Sequence, residues 1–182
     1  MKFRFSSKAI IIELLLLSCA AVFLFSGISK LLYINKLEWS IVEFLNCNYT
    51  FASIIARIVI GLELILGCLL LAHQYLKFTL LTSQSLIILF SIYLLIEIFN
   101  YGNKGDCGCF GNAFSLSPLA SLGKNFVMLL FLYWIKKSNN LNWSNALASL
   151  ALCMLCLAAP FISNPLHHTL KQRPINLVPL ST

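Results

Sequence analysis

Apolar residues in this chain gather into long runs broken by few polar positions, with short polar stretches between them. The first run covers about residues 9–34, enough helix at 1.5 Å per residue to cross a ~30 Å hydrocarbon core. A second covers about 51–72, and a short turn at 73–77 leads into a third that ends near residue 99. A fourth, shorter run covers about 119–135 and a fifth about 144–162. Lipid offers the backbone no hydrogen-bond partners, so runs of this kind predict helices that satisfy their own N–H and C=O groups. The stretches 35–50, 100–118 and 136–143 read as polar connections. The tail from residue 163, with Pro165, Pro174 and Pro179, reads as extended. The pattern predicts an all-α integral membrane protein.

Leu16-Leu17-Ser18-Cys19 after a basic start has the outline of a lipoprotein-type signal. Glu13 interrupts the would-be apolar core, however, and hydrophobicity continues well past Cys19, so a retained span fits better.

Composition agrees with the pattern. The 182 residues are 59% hydrophobic and 10% charged, with mean hydropathy +0.87, where a soluble domain carries about a quarter charged residues. The formal charge of +7 raises nucleic acid as a partner. The basic residues are scattered, though: Lys2, Arg4 and Lys8 open the chain, Lys136 and Lys137 separate two apolar runs, and Lys171 and Arg173 lie in the tail. Loops against a lipid bilayer explain that distribution and a nucleic-acid surface does not. Counts of basic residues on the two sides tie, and the basic start tips the balance toward a cytoplasmic N-terminus. Cys47, the 100–118 connection and the tail then face the opposite side.

Charges inside spans are expensive, about 2.5–3.5 kcal/mol each at mid-bilayer, and therefore mark candidates for function. Glu13 reads as shallow. Lys30, near the outer end of its span, can snorkel to the headgroups or pair with Glu63, the deepest charge of the set. Arg57 and Glu63 are six residues apart on different faces of one helix, so each should seek partners on other helices. Glu97 ends the third span. An ion pair holding the bundle together and a catalytic role account for these charges equally well. Gly27, Gly61 and Gly67 mark places where helix backbones can approach closely in lipid.

The sharpest chemical signal is Asp106-Cys107-Gly108-Cys109-Phe110-Gly111 in the 100–118 connection. Cysteines separated by one residue can close a small, strained disulfide, and Gly108 and Gly111 permit the turn. Strained, accessible disulfides suit exchange rather than stapling. Lys30, Arg57 and Glu97 lie toward the same leaflet, where clustered cations would favour the thiolate of Cys107 or Cys109. Cys47, on the same side, is a candidate relay thiol. Cys19, Cys68, Cys153 and Cys156 fall in apolar runs, where cysteine behaves as a small hydrophobe. Cys153 and Cys156 could share a helical face, and packing is preferred over an auxiliary redox pair. Two thiols suit a soft ion such as Cu(I), but no third ligand stands at useful spacing, so no metal is assigned.

Three pieces now stand in order: Ser26-Gly27-Ile28-Ser29-Lys30-Leu31, Glu63 with Gly67, and Cys107-Gly108-Cys109-Phe110-Gly111 followed by Asn125. Together they resemble the methylamine utilisation protein MauE family within the DoxX-like group of small membrane proteins, over about residues 8–136. The resemblance implies a four-helix transmembrane bundle at 1–136; outside the match, the fifth apolar run makes 137–163 an extra transmembrane helix and 164–182 reads as an extended tail. It further implies a multi-pass protein of the bacterial inner membrane, its Cys-Gly-Cys turn periplasmic, working beside a periplasmic thioredoxin-fold partner in disulfide maturation. Methylamine metabolism itself does not follow from it.

Three function classes remain. In the leading one, Cys107 and Cys109 cycle between dithiol and disulfide, and a quinone acceptor is compatible with a redox protein in the bilayer. In the second, the chain is a non-enzymatic docking subunit with a permanent crosslink. In the third it is a small transporter using Glu63, Arg57 and Lys30, which would need a homo-oligomer to enclose a path.

Overall fold

The computed structural model describes residues 7–101, 117–138 and 146–164. The Cys107-Gly108-Cys109 turn with Gly111, and the tail from residue 165, lie outside the described residues. Among those described, the chain is helical with no strands. The helices are α1 (Ser7–Leu32), α2 (Ile34–Leu45), α3 (Tyr49–Leu71), α4 (Leu76–Tyr101), α5 (Pro118–Ser138) and α6 (Ala146–Ser163). Four of them are long and apolar enough to cross a membrane, over Ile10–Leu32, Tyr49–Leu71, Leu76–Asn100 and Pro118–Lys137. A shorter apolar helical stretch, Cys153–Ser163, lies in α6.

The expectation of a polar connection at 35–50 is corrected, because most of it is α2. Ile34, Leu37, Glu38 and Ile41 recur at helical spacing, so one face of an otherwise polar segment can be buried. Ile34 is buried, and Leu37 and Ile41 pack beside it against the same apolar cluster. The helix stops at Asn46, whose backbone is left-handed (φ 47°, ψ 45°), a conformation asparagine tolerates better than most residues.

At its other end α3 closes with a Schellman motif. His73 occupies the left-handed position (φ 54°), Gln74 N–H donates to the Leu69 carbonyl at 3.0 Å and His73 N–H donates to Leu70 at 3.2 Å. That sharp stop turns the chain straight back into α4.

α3 is the centre of the bundle. Half of its span is buried, against 28–33% for the other three, and it packs against α1, α2, α4 and α6. The approach to α1 is close. A Cβ on Gly67 would lie 2.7 Å from Leu24 Cγ, and one on Gly27 would lie 2.9 Å from Leu64 Cδ2. These paired contacts set α1 and α3 antiparallel, with residues 24 and 27 opposite 67 and 64. One apolar cluster joins α1, α3, α4 and α5 through Leu16, Phe23, Leu70, Leu80 and Leu132. A second joins α2, α3 and α6 through Ile34, Ile60, Leu64 and Cys156. Large apolar side chains also point outward, among them Phe78, Leu89, Phe99, Phe126 and Trp134. In a bilayer such an exterior meets lipid instead of water.

Candidate functional site

Two buried ionic centres flank α3. In the first, Lys30 of α1 and Glu63 of α3 form an ion pair with both side chains 3% exposed. Lys30 Nζ also donates to Ser26 Oγ one turn earlier, at 3.1 Å, and stands 4.4 Å from the centroid of the Phe90 ring on α4. The ring face offers partial negative charge to the ammonium and adds to its compensation in an apolar setting. Lys30 therefore does not snorkel to the headgroups; its carboxylate partner holds it inside. By helix rise Glu63 lies about 21 Å from Tyr49 and about 12 Å from Leu71, well within the span. Glu63 Oε2 is buried and accepts no hydrogen bond among the described residues.

The second centre is one that sequence reading missed. Glu38 of α2, 2% exposed, accepts from Arg57 Nη1 at 2.7 Å, Ser53 Oγ at 2.7 Å and Tyr49 OH at 2.5 Å. Arg57 also grips the end of α6, donating from Nε at 3.0 Å and Nη2 at 2.7 Å to the Asn164 carbonyl. Asn164 Nδ2 in turn donates to the Leu31 carbonyl of α1 at 3.2 Å. One guanidinium thus ties α2, α3 and α6 together. Its five donors in a planar fork make this possible where a lysine would not. The available signal was that Glu38 shares a helical face with Ile34 and Ile41, and that Ser53 stands one turn before Arg57.

Lys30 and Arg57 stand in two separate ion pairs rather than in one cluster of unmatched cations. Each cation is matched by a carboxylate, Glu63 or Glu38. Glu97 is half-buried near the end of α4. Cys47 follows α2 and is half-buried, with its Sγ 4.0 Å from the Ile41 carbonyl. Asn125 of α5 is buried and donates to Ser91 Oγ of α4 at 3.2 Å, next to Phe90. Glu13, read as shallow, meets His73 at 2.7 Å at the opposite end of the bundle, and both are substantially exposed.

The described helices also place the ends of the undescribed connection. α1 and α3 are antiparallel, the 72–75 turn reverses the chain into α4, and α4 and α5 pair antiparallel through Ser91 and Asn125. The C-terminus of α4 and the N-terminus of α5 therefore lie at the end of the bundle that also carries α2 and the start of α3. Among the described residues no group of three or more His, Cys, Asp or Glu side chains could hold a metal.

The family model for methylamine utilisation protein MauE matches residues 8–137, most of the chain and all four long spans. The chain belongs to the MauE family. α6, with Cys153 and Cys156, lies beyond the matched MauE region. A curated relative, "Protein TlpB" from Flavobacterium psychrophilum, is 31% identical over 99 residues, covering 50% of this chain. The match spans 27% of that relative's length. No solved structure matches the chain.

Proposed function

We infer that this MauE-family protein is a bacterial inner-membrane component of thiol–disulfide exchange, passing electrons between the Cys107/Cys109 pair and a periplasmic thioredoxin-fold partner. The observation that carries the reading is the position of Cys107-Gly108-Cys109 on the α4–α5 connection. Both flanking helix ends emerge beside α2 and the start of α3, close in the chain to Cys47. The exchange step balances within the two proteins. A thiolate attacks the partner disulfide, a mixed disulfide forms, and the second thiolate of the pair displaces the partner thiol, so one disulfide is traded for another.

In this reading the Lys30–Glu63 and Glu38–Arg57 pairs are positioning groups that hold α1, α2 and α6 against α3. The matched region is the working four-helix unit, and α6 with the tail is an addition to it. The cytoplasmic N-terminus and periplasmic turn rest on the distribution of basic residues.

The test is membrane-impermeant thiol labelling of intact cells with and without reductant, beside the redox state of co-purifying thioredoxin-fold proteins. Cys107 and Cys109 are expected to label from outside only after reduction, and Cys107→Ser/Cys109→Ser is expected to shift the partner's redox state. A pair that resists mild reductant in the native membrane makes the chain a docking subunit with a permanent crosslink. Solute uptake that survives loss of both turn cysteines but not Glu63→Gln favours a carrier.

A further inference from the structure

Three further cysteines lie where α6 packs on α3. Cys68 stands three residues before Leu71 at the end of α3, and Cys153 and Cys156 lie on α6. Spacing along the chain would pair Cys153 with Cys156. The tertiary structure instead sets Cys156 Sγ 3.8 Å from Cys68 Sγ, across 88 residues of sequence. Two features hold that register. Gly61 lets α6 come so near that a Cβ there would lie 3.1 Å from Leu157 Cδ2 and 3.5 Å from the Cys156 carbonyl oxygen. Further along the same helix pair, Arg57 grips the Asn164 carbonyl. A disulfide places its sulfurs about 2.05 Å apart, so closure needs an approach of roughly 1.8 Å shared between the two side chains and their helices.

We propose that Cys68 and Cys156 are a second redox pair, oxidised by a lipid-soluble quinone, whose disulfide reversibly pins α6 to α3. Two S–H bonds break and one S–S bond forms; the two electrons and two protons pass to the quinone, which leaves as quinol. The acceptor class follows from placement. Cys156 is buried in an apolar cluster with Leu64, Ile65 and Leu69, and Cys68 and Leu157 pack against it. α3 and α6 present their other faces to lipid, in which a quinone dissolves, and an apolar acceptor matches the apolar setting of Cys156 better than a folded, water-borne partner does. α6 lies beyond the region matched by the family model, so the pair would link an added element, through Cys156, to Cys68 of the four-helix unit.

The experiment uses membranes carrying the full chain, reduced and then exposed to decylubiquinone, followed by alkylation and mass spectrometry of linked peptides. A Cys68–Cys156 linked peptide is expected to appear with the quinone and to disappear with dithiothreitol. It should persist in Cys153→Ser and in Cys107→Ser/Cys109→Ser, which keeps this result separate from the exchange reading. The proposal is overturned if both thiols remain alkylatable after quinone, or if the linked pair is Cys153–Cys156. It is equally overturned if closure requires Cys107 and Cys109. The first comparison is made on the unaltered protein, so no variant has to fold for the answer to count.

Discussion

Lys30 and Glu63 show how a membrane interior changes the energetics of a single residue. Either charge alone in that setting is costly; each is offset by the other, and Lys30 is further met by Ser26 and the Phe90 ring. Lys30→Met should therefore destabilise the bundle by about 3–5 kcal/mol, because it strands the Glu63 carboxylate. Lys30→Met/Glu63→Met should recover most of that loss, since two apolar side chains of similar volume replace the pair. SDS-induced unfolding in mixed micelles checks both, and a double variant no better than the single one contradicts a structural pair. The unmatched Glu63 Oε2 means the carboxylate is satisfied on one oxygen only among the described residues, so Glu63→Gln should be better tolerated than Glu63→Leu with Lys30 present.

Between elements, the decisive contact is the one between α1 and α3. Gly67→Ala would put a methyl 2.7 Å from Leu24 Cγ and 3.1 Å from the Leu24 backbone nitrogen. Overpacking of this kind costs about 1–3 kcal/mol, and Leu24→Ala should relieve only part of it because backbone is involved. Gly123 on α5 has nothing within 4 Å of an added Cβ. Gly123→Ala should thus be neutral or stabilise by up to about 1 kcal/mol through helix propensity, in the same unfolding assay. Arg57 works across three elements at once. Arg57→Met should loosen α2 and α6 together, seen as faster alkylation of Cys156 by a lipid-permeable maleimide. If Cys156 labelling were unchanged, the grip on Asn164 would not be what seats α6.

For the molecule as a whole, the antiparallel order of α1, α3, α4 and α5 puts Cys47 and the 72–75 turn at opposite ends. With native cysteines removed, a cysteine restored at position 47 should label with an impermeant reagent from the periplasm, and Gln74→Cys only from the cytoplasm. Labelling of both from one side would break the four-span arrangement. The Glu13–His73 pair sits at the Gln74 end, opposite α2 and the start of α3, and has no part in the proposed exchange.

Local sequence alone determined the helical class, the four long spans and the motifs that carry the family resemblance, because span length and burial in lipid depend on runs of neighbouring residues. It also marked Arg57 and Glu63 as groups needing partners on other helices, since charge in hydrocarbon is costly wherever it falls. Local sequence did not disclose α2, whose buried face is diluted by polar residues in any window average. Nor did it disclose Glu38 as the partner of Arg57, or Cys68 as the neighbour of Cys156. Those pairings depend on crossing register, which is set where Gly27, Gly61 and Gly67 let backbones meet. Only the packed structure decides which residues, 19 or 88 positions apart, come into contact there.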